Sequence, residues 1–370
     1  MRRFNVAAVL TAAALVLTAC GSSGSGSSGS GTPTSTPAPP ASSPGAASPA
    51  SSPAGTEPAG TSPAGSSVPA SPTGPLTDFK IAYGATAATN IPLYIGIDDG
   101  IFAKYGLNVS MVLLAGTATP PALASNSVQL AQSGVSDMAG AIVGGANLSI
   151  VAVGYPWMFF RVYGKKGMTS LADLKGKTIA ASTAGSASDT AINIAMKSTG
   201  LVRGKDYQVT YIGDNPARIA ALANGSVDAI LVSPPSAQLA EAQGFPDIGD
   251  MISEKIPYGY GSFGVNKEWA ASHKDLLIAF FKAYHESVLY ARNNKDAAFA
   301  VMKKDMNLTN DSILQSVYDV SVAIMPEWPI PTADPIKATT IYSSNPKVVA
   351  VDPNTLFDDS YVKAAQAASG

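Results

Sequence analysis

One cysteine and two histidines in 370 residues leave little for thiol or metal-centred chemistry. The cysteine, Cys20, has no intrachain partner for a disulfide and cannot build a cysteine cluster around zinc. His273 and His285 stand twelve positions apart, with no carboxylate spaced as a co-ligand, and are expected to be packing or surface residues. Charge is scarce as well: 14% of residues are Asp, Glu, Lys or Arg, against about 25% in ordinary globular chains. The first 75 residues explain part of this, carrying only Arg2, Arg3 and Glu57. The signs nearly cancel, 24 basic against 26 acidic, for a net charge of -2. That balance excludes a basic surface for nucleic acid and an acidic tail. A long apolar run is missing too. Val6 to Ala19 gives fourteen residues, which at about 1.5 Å each fall short of a ~30 Å hydrocarbon layer.

What is present begins with an address. Arg2 and Arg3, the short apolar run and the small residues after it form a secretory leader, residues 1–19. Leu17-Thr18-Ala19-Cys20 resembles the bacterial lipoprotein box, in which the thiol is acylated and the cysteine becomes the new N-terminus. The resemblance implies a palmitate-type anchor on Cys20, holding the chain on the extracytoplasmic face of the cell membrane, or the periplasmic side where an outer membrane exists. Two or more acyl chains give stable anchoring. Between Cys20 and residue 76 lies a linker. Of residues 21–75, 53 are Gly, Ser, Pro, Ala or Thr, a composition that cannot repay the entropy of ordering. A disordered tether is expected there.

The remaining chain is long enough for two domains. Short β-branched runs alternate with helical stretches, which predicts an α/β fold with parallel sheets wrapped by helices. Ile81-Ala82-Tyr83, Val109–Leu114 and Val128–Gln132 read as strands; Pro92–Tyr105, Pro120–Ser125 and Ser136–Ala146 read as helices. A second copy follows. Lys80-Ile81-Ala82 matches Thr178-Ile179-Ala180, and Ala122-Leu123-Ala124 with Ser127-Val128 matches Ala221-Leu222-Ala223 with Ser226-Val227, at offsets of 98 and 99. Pro120, Pro121 and Pro216 suit first helical turns, with Thr119 and Asn215 as their caps.

Two similar lobes imply a cleft, and ligands of open α/β sheets sit beyond the carboxyl ends of the strands. The loops there are small and polar. Thr89, Asn90, Gly116, Thr117, Ser133 and Gly134 come from the first copy. Gly185, Ser186, Ala187 and Ser233 come from the second. Such residues let a ligand approach backbone N–H groups, although ordinary loops favour the same types.

Four stretches, in this order and spacing, resemble the solute-binding proteins of ABC importers. They are Pro92-Leu93-Tyr94-Ile95-Gly96 with Gly100–Val109; Leu171–Thr178; Ala221–Ala229; and Phe357–Val362. The likeness is strongest to the branch that binds aliphatic sulfonates, taurine, nitrate and thiamine-pyrimidine precursors, and it covers most of residues 78–365. It implies a two-lobe type II periplasmic binding fold: lobe 1 from 77–157 plus 261–370, lobe 2 from 158–260. Crossings are expected near Tyr155–Tyr163 and Tyr258–Gly264. The implied function is capture of a small solute by lobe closure, by a monomer that delivers it to a membrane permease, with no cofactor, metal or nucleic acid. A ligand sensor for a membrane receptor is the alternative. An enzyme on the same fold is a weaker one, since fungal thiamine-pyrimidine synthases rely on a cysteine-rich motif and a histidine without counterparts here.

The crossings are aromatic. In an extended chain Trp157 and Arg161 share a face, which with Tyr260 suggests a ringed cleft wall and a guanidinium for an anion. Pairing of Arg161 with an acid near the lobe interface is the plainer expectation. Arg218, in a first helical turn, is expected to form a surface salt bridge, with an anion contact as the alternative. Gly259–Gly264 fits G-x-G-x-x-G, but its flanks look extended, so no dinucleotide site is expected. Residues 277, 280, 281, 284 and 288 form a helical apolar stripe within Lys274–Arg292, read as lobe 1 packing.

Overall fold

The structure, a computed structural model, describes residues 74–370. The leader, Cys20 and the linker as far as residue 73 lie outside the described residues. In the first half the chain builds β1 (Thr77–Tyr83), β2 (Leu107–Leu113), β3 (Leu130–Ser133) and β4 (Leu148–Trp157). It then crosses to lay down β5 (Arg161–Gly164), β6 (Thr178–Ala181), β7 (Gln208–Tyr211), β8 (Ala229–Val232) and β9 (Asp247–Asp250). Finally it returns as β10 (Pro257–Asn266). Two five-stranded sheets result, ordered β2-β1-β3-β10-β4 and β7-β6-β8-β5-β9.

The two sheets repeat one plan. Three parallel strands are followed by an antiparallel one that the chain inserts from the crossing side. Ile81 of β1 stands opposite Leu130 of β3, and Ile179 of β6 opposite Ala229 of β8. Central strands β3 and β8 are buried along their whole length, as strands covered on both faces must be.

Helices α1 (Ile91–Asp98), α2 (Ile101–Lys104), α3 (Thr119–Ala124) and α4 (Val135–Val143) belong with the first sheet. Helices α5 (Ala187–Met196), α6 (Asn215–Ala223) and α7 (Ser236–Ala242) belong with the second. The C-terminal part adds α8 (Lys267–Ser272), α9 (Lys274–Asn293), α10 (Lys295–Asp305), α11 (Asp311–Val320), α12 (Ala333–Thr340), α13 (Pro346–Val349) and α14 (Ser360–Ala367). The α9 stripe packs as its spacing requires: Leu277, Phe280, Phe281, Tyr284 and Val288 are all buried. Phe280 stacks on Phe79 at 5.2 Å and on Phe102 at 5.4 Å, joining β1, α2 and α9. His273 and His285 stack on Trp269 and Trp328, as packing residues do.

Three local expectations are corrected. The helix over Pro92–Tyr105 is broken, because Gly100 adopts φ +68° and stops α1 before α2 begins. The second crossing falls at residues 251–256, since Tyr258–Gly264 lies inside β10 and pairs with β3 and β4. The G-x-G-x-x-G glycines are therefore strand residues. The caps also sit one residue early. Asp214 caps α6 by accepting the Ala217 N–H at 3.3 Å, and Ala118 precedes α3. Among the described residues, no helix is long and apolar enough to cross a membrane.

Candidate functional site

The first crossing, Met158-Phe159-Phe160, is buried, and its rings knit the two lobes together. Phe159 stacks on Tyr155 at 4.5 Å, and Phe160 meets Tyr260 edge-on at 4.8 Å. Beside this aromatic hinge the lobes face each other across a cavity. It measures about 530 Å3 with its mouth, of which the enclosed core is about 50 Å3. A core of this size suits a small occupant.

Lobe 1 contributes the end of β3, the loops after β1, β2 and β3, and the first turn of α4: Thr89, Asn90, Gly116, Gln132, Ser133, Gly134 and Asp137. Lobe 2 contributes Ser182, Ser186, Ala187, Ser188, Asn215 and Arg218. Phe160, Tyr260 and Gly261 close the hinge side. The lobes touch around the rim. Ala88 N–H donates to the Pro234 carbonyl at 2.8 Å, Asn215 Nδ2 donates to the Thr86 carbonyl at 3.2 Å, and Thr117 N–H donates to Thr183 Oγ1 at 3.3 Å. The cleft is closed.

Some of the lining is a self-satisfied frame. Asn90 Oδ1 accepts the Ala87 N–H at 2.8 Å, and its Nδ2 donates to Gln132 Oε1 at 2.6 Å. Gln132 Nε2 in turn donates to the Thr89 carbonyl at 3.1 Å. Other groups are unmet. Ser133 Oγ and Asp137 Oδ1 are buried side-chain atoms without a hydrogen-bond partner. Asp137 Oδ2 accepts the Gly134 N–H at 2.9 Å and so closes the start of α4. Burial pushes the Asp137 carboxyl up to about 7, partly offset by the backbone N–H groups of Gly134 and Ala187.

Arg218 overturns the surface expectation. It is 2% exposed and lines the cavity. Its Nε donates to the Leu231 carbonyl at 3.1 Å, Nη1 to the Gly213 carbonyl at 2.5 Å, and Nη2 to Asn215 Oδ1. No carboxylate of the described residues lies within 4.0 Å of it. Burial lowers its pKa to about 10, which still leaves it charged at neutral pH. The freed cap residue Asn215 orients it.

Of the residues singled out from sequence, Thr89, Asn90, Gly116, Ser133, Gly134, Ser186, Ala187 and Tyr260 line the cavity. Thr117 stands at the rim. Ser233 is behind the wall, accepting from Tyr260 OH at 3.1 Å and from Asn215 Nδ2 at 2.9 Å. Gly185 lines a neighbouring side opening instead. Trp157 and Arg161 are absent from the lining, because residues 158–160 are not an extended strand and the shared face assumed for them does not form. Arg161 turns to three acids: Asp250 at 2.9 Å, Asp247 at 3.6 Å and Glu241 at 3.9 Å. Asp137, Phe160 and Asn215 went unrecognised as site residues, and Arg218 was singled out with a surface salt bridge preferred to an anion contact. The signal for Arg218 was its place four residues before Leu222 on the buried face of α6. Among the described residues no cluster of three or more His, Cys, Asp or Glu could hold a metal ion.

Comparison with known proteins follows the same lines. The family model described as NMT1/THI5 like matches residues 88–298. No curated protein sequence matches the chain. The chain is similar in structure to the alkanesulfonate-binding protein SsuA from Xanthomonas axonopodis pv. citri bound to MOPS, at TM-score 0.63 and 19% identity, covering 79% of this chain and 99% of that one. It is similar to the periplasmic nitrate-binding protein NrtA from Synechocystis PCC 6803, at TM-score 0.64 and 16% identity, covering 79% and 89%. It is also similar to the desulfurization enzyme DSZB, at TM-score 0.59 and 13% identity, covering 79% and 100%. These likenesses establish the two-lobe periplasmic binding fold.

Proposed function

Because the chain belongs to the NMT1/THI5-like family, we propose that it is the extracytoplasmic solute-binding component of an ABC importer. It captures a small polar organic ligand, an anion of the sulfonate or nitrate kind or a pyrimidine-like ring, by closing two lobes over it. The observation that carries this reading is one small cavity between the lobes, lined by the unpartnered Ser133 Oγ and Asp137 Oδ1 of lobe 1 and by the Arg218 guanidinium of lobe 2, buried without a carboxylate beside it. A lone buried guanidinium and an orphaned carboxylate oxygen are costly unless something else completes them. A captured solute does so, and its contacts supply the energy of closure.

The protein acts as a monomer that presents its closed form to a membrane permease. Acylation of Cys20, the sole cysteine, holds it at the membrane surface. The mass of the mature N-terminus tests the anchor; an unmodified thiol would refute it. The binding reading is tested by titrating the full chain with a panel of sulfonates, nitrate and pyrimidines, following thermal stability. A solute at about 100 times its dissociation constant adds about 2.7 kcal/mol. One ligand per chain, bound and released unchanged, is the expected result.

A second reading, catalysis, is raised by the likeness to a desulfurization enzyme. The cavity lining holds a carboxyl, Asp137, and several hydroxyls, but no histidine or cysteine with which a Ser–His or Cys–His pair could form, which favours capture. Product appearing in the same titrations would reverse that preference.

A further inference from the structure

Lobe 1 reaches lobe 2 at a second place, outside the cavity. Helix α12 is fixed to β10, where the Gly259 N–H donates to Thr339 Oγ1 at 2.8 Å. The chain then leaves α12 and lays Tyr342 against the end of α5. Two bonds cross the seam there. Asn193 Nδ2 donates to the Tyr342 carbonyl at 3.0 Å, and Lys197 Nζ donates to the Tyr342 hydroxyl at 2.7 Å. Asn193 is aimed from behind. Arg203 Nη1 donates to its Oδ1 at 3.0 Å, so its amide nitrogen is the end turned to lobe 1. Arg203 is held in turn by the buried Asp189, with Nη2 donating to Oδ1 at 2.7 Å. Asp189 Oδ2 accepts the Gly185 N–H at 2.9 Å, beside Ser186, Ala187 and Ser188 of the cavity wall. A chain of bonds therefore runs the length of α5, from the cavity wall to Tyr342.

We propose that Tyr342 is a strap that holds the two lobes together from outside the cavity, adding the same increment to the closed form whether the cavity is empty or filled. The inference goes beyond the solute-binding reading, because Tyr342, Asn193 and Lys197 do not line the cavity and the strap acts without a solute. Both of its bonds join one lobe to the other, so parting of the lobes removes them together. The strap sets the baseline from which an occupant works. With it fastened, less of the closing energy has to come from the cavity; with it cut, the same occupant leaves sooner.

The test is hydrogen exchange on the full chain with no solute added. The Ala88 N–H donates to the Pro234 carbonyl and the Thr117 N–H to Thr183 Oγ1, and both lose their acceptors when the lobes part. Amides of the buried strands β3 and β8 report whether each lobe stays folded. Tyr342→Phe removes the hydroxyl alone and should speed exchange at Ala88 and Thr117 about three- to tenfold. Asn193→Asp keeps the acceptor for Arg203 but turns an oxygen toward the Tyr342 carbonyl, and should speed it by a similar factor. Lys197→Met should match Tyr342→Phe, and the two combined should exceed either alone by less than about twofold, as two halves of one bond do. Strand amides should not change in any variant. Unchanged exchange at Ala88 and Thr117 in Tyr342→Phe and Asn193→Asp would overturn the proposal. So would free-chain exchange at both amides in the unaltered protein, because no strap would then be holding the lobes. Additive effects of Lys197→Met and Tyr342→Phe would overturn it as well. None of these results depends on a solute, so the titrations with the panel decide the binding reading separately.

Discussion

Gly134 offers a direct test of whether the contact between the lobes is the ligand-holding state. It lies between β3 and α4, with φ -79° and ψ 152°, a backbone any residue adopts. An added Cβ would meet Ala187 Cβ of the opposite lobe at 2.4 Å and Ala187 Cα at 3.3 Å. Ordinary carbon contacts lie at about 3.5–4.0 Å, so Gly134→Ala forces the lobes apart by roughly an ångström. Overpacking of this size costs about 1–3 kcal/mol. The cost falls on the closed form alone, because an open hinge relieves it. Affinity should therefore drop by about 5- to 150-fold, while stability without ligand moves by no more than about 0.5 kcal/mol. Calorimetry with the strongest probe of the panel and scattering with and without it provide the readouts. The same Cβ would lie 2.9 Å from Asp137 Oδ2, so a disturbed carboxylate is a competing cause. Ala187→Gly separates the two. It removes the clashing methyl at a helix-propensity cost of about 0.5–1 kcal/mol, and combined with Gly134→Ala it should restore most of the affinity. Unchanged binding in Gly134→Ala would refute the assignment of this contact to the bound state. Failure of the pair to recover would shift the cause to Asp137.

Three further outcomes are expected. Phe280→Ala should cost about 3–5 kcal/mol in chemical denaturation, since Phe280 is fully buried and stacks on Phe79 and Phe102; a loss under ~1 kcal/mol would contradict its central place. Arg161→Met should lower stability by about 1 kcal/mol, because Asp250, Asp247 and Glu241 lose their shared cation, yet leave solute affinity within about twofold. A large loss of affinity there would return Arg161 to the site. For Asp137 the pH dependence has a definite sign. The folded carboxyl titrates at about 7 and the unfolded one near 3.9, so the folded state binds more protons in between. The associated stability is full below about pH 4 and is lost as pH rises through 7, by a few kcal/mol at most. Asp137→Asn should flatten that slope between pH 5 and 8; identical slopes in both proteins would rule the group out.

The repeat was legible in the sequence because it is written in buried strands. Ile81 and Ile179, 98 apart, occupy equivalent places in two sheets of one order, and their partners Leu130 and Ala229 lie 99 apart, the two offsets the sequence shows. The α9 stripe was legible for the same reason, as apolar spacing determines which face is covered. Small polar loops marked most of the cavity wall, since close approach of two backbones demands them. Polar side chains were harder. Arg161 met the plainer expectation of an acid partner while Arg218 overturned its own, because a sequence window does not contain the partners that decide a charge. Arg161 meets acids from β9 and α7, some 80–90 residues downstream. Arg218 was read as exposed from its place in a first turn, where a cation is disfavoured. The cap at Asp214 turned Asn215 inward and carried Arg218 with it. Gly100 was passed over because a single glycine is tolerated inside helical patterns, and only its positive φ reveals the break.

The balance between hinge and rim explains why a solute can control the shape. The hinge is buried and aromatic: Tyr155, Phe159, Phe160, Tyr258 and Tyr260 pack together and do not depend on the cleft being occupied. The rim is different. Its bonds are mostly between neutral groups, such as Ala88 to Pro234 and Thr117 to Thr183, and include Lys197 Nζ to Tyr342 OH at 2.7 Å on an exposed edge. Each contributes about 0.5–1.5 kcal/mol once exchange with water is counted. Against them stands the cost of enclosing one guanidinium and one carboxylate with no counter-ion. The empty closed form thus gains little at its edge and loses at its centre. An occupant that completes both charges changes the sign of the central contribution while leaving the rim untouched. A preference of about 5.5 kcal/mol for the closed state would move the equilibrium from 1:99 to 99:1, and two charge-assisted contacts, at about 1.5–3 kcal/mol each, come close to that on their own. On the proposed solute-binding reading, Arg218 and Asp137 are the buried groups through which an occupant would favour closure, and the small residues around them let the two lobes come near each other.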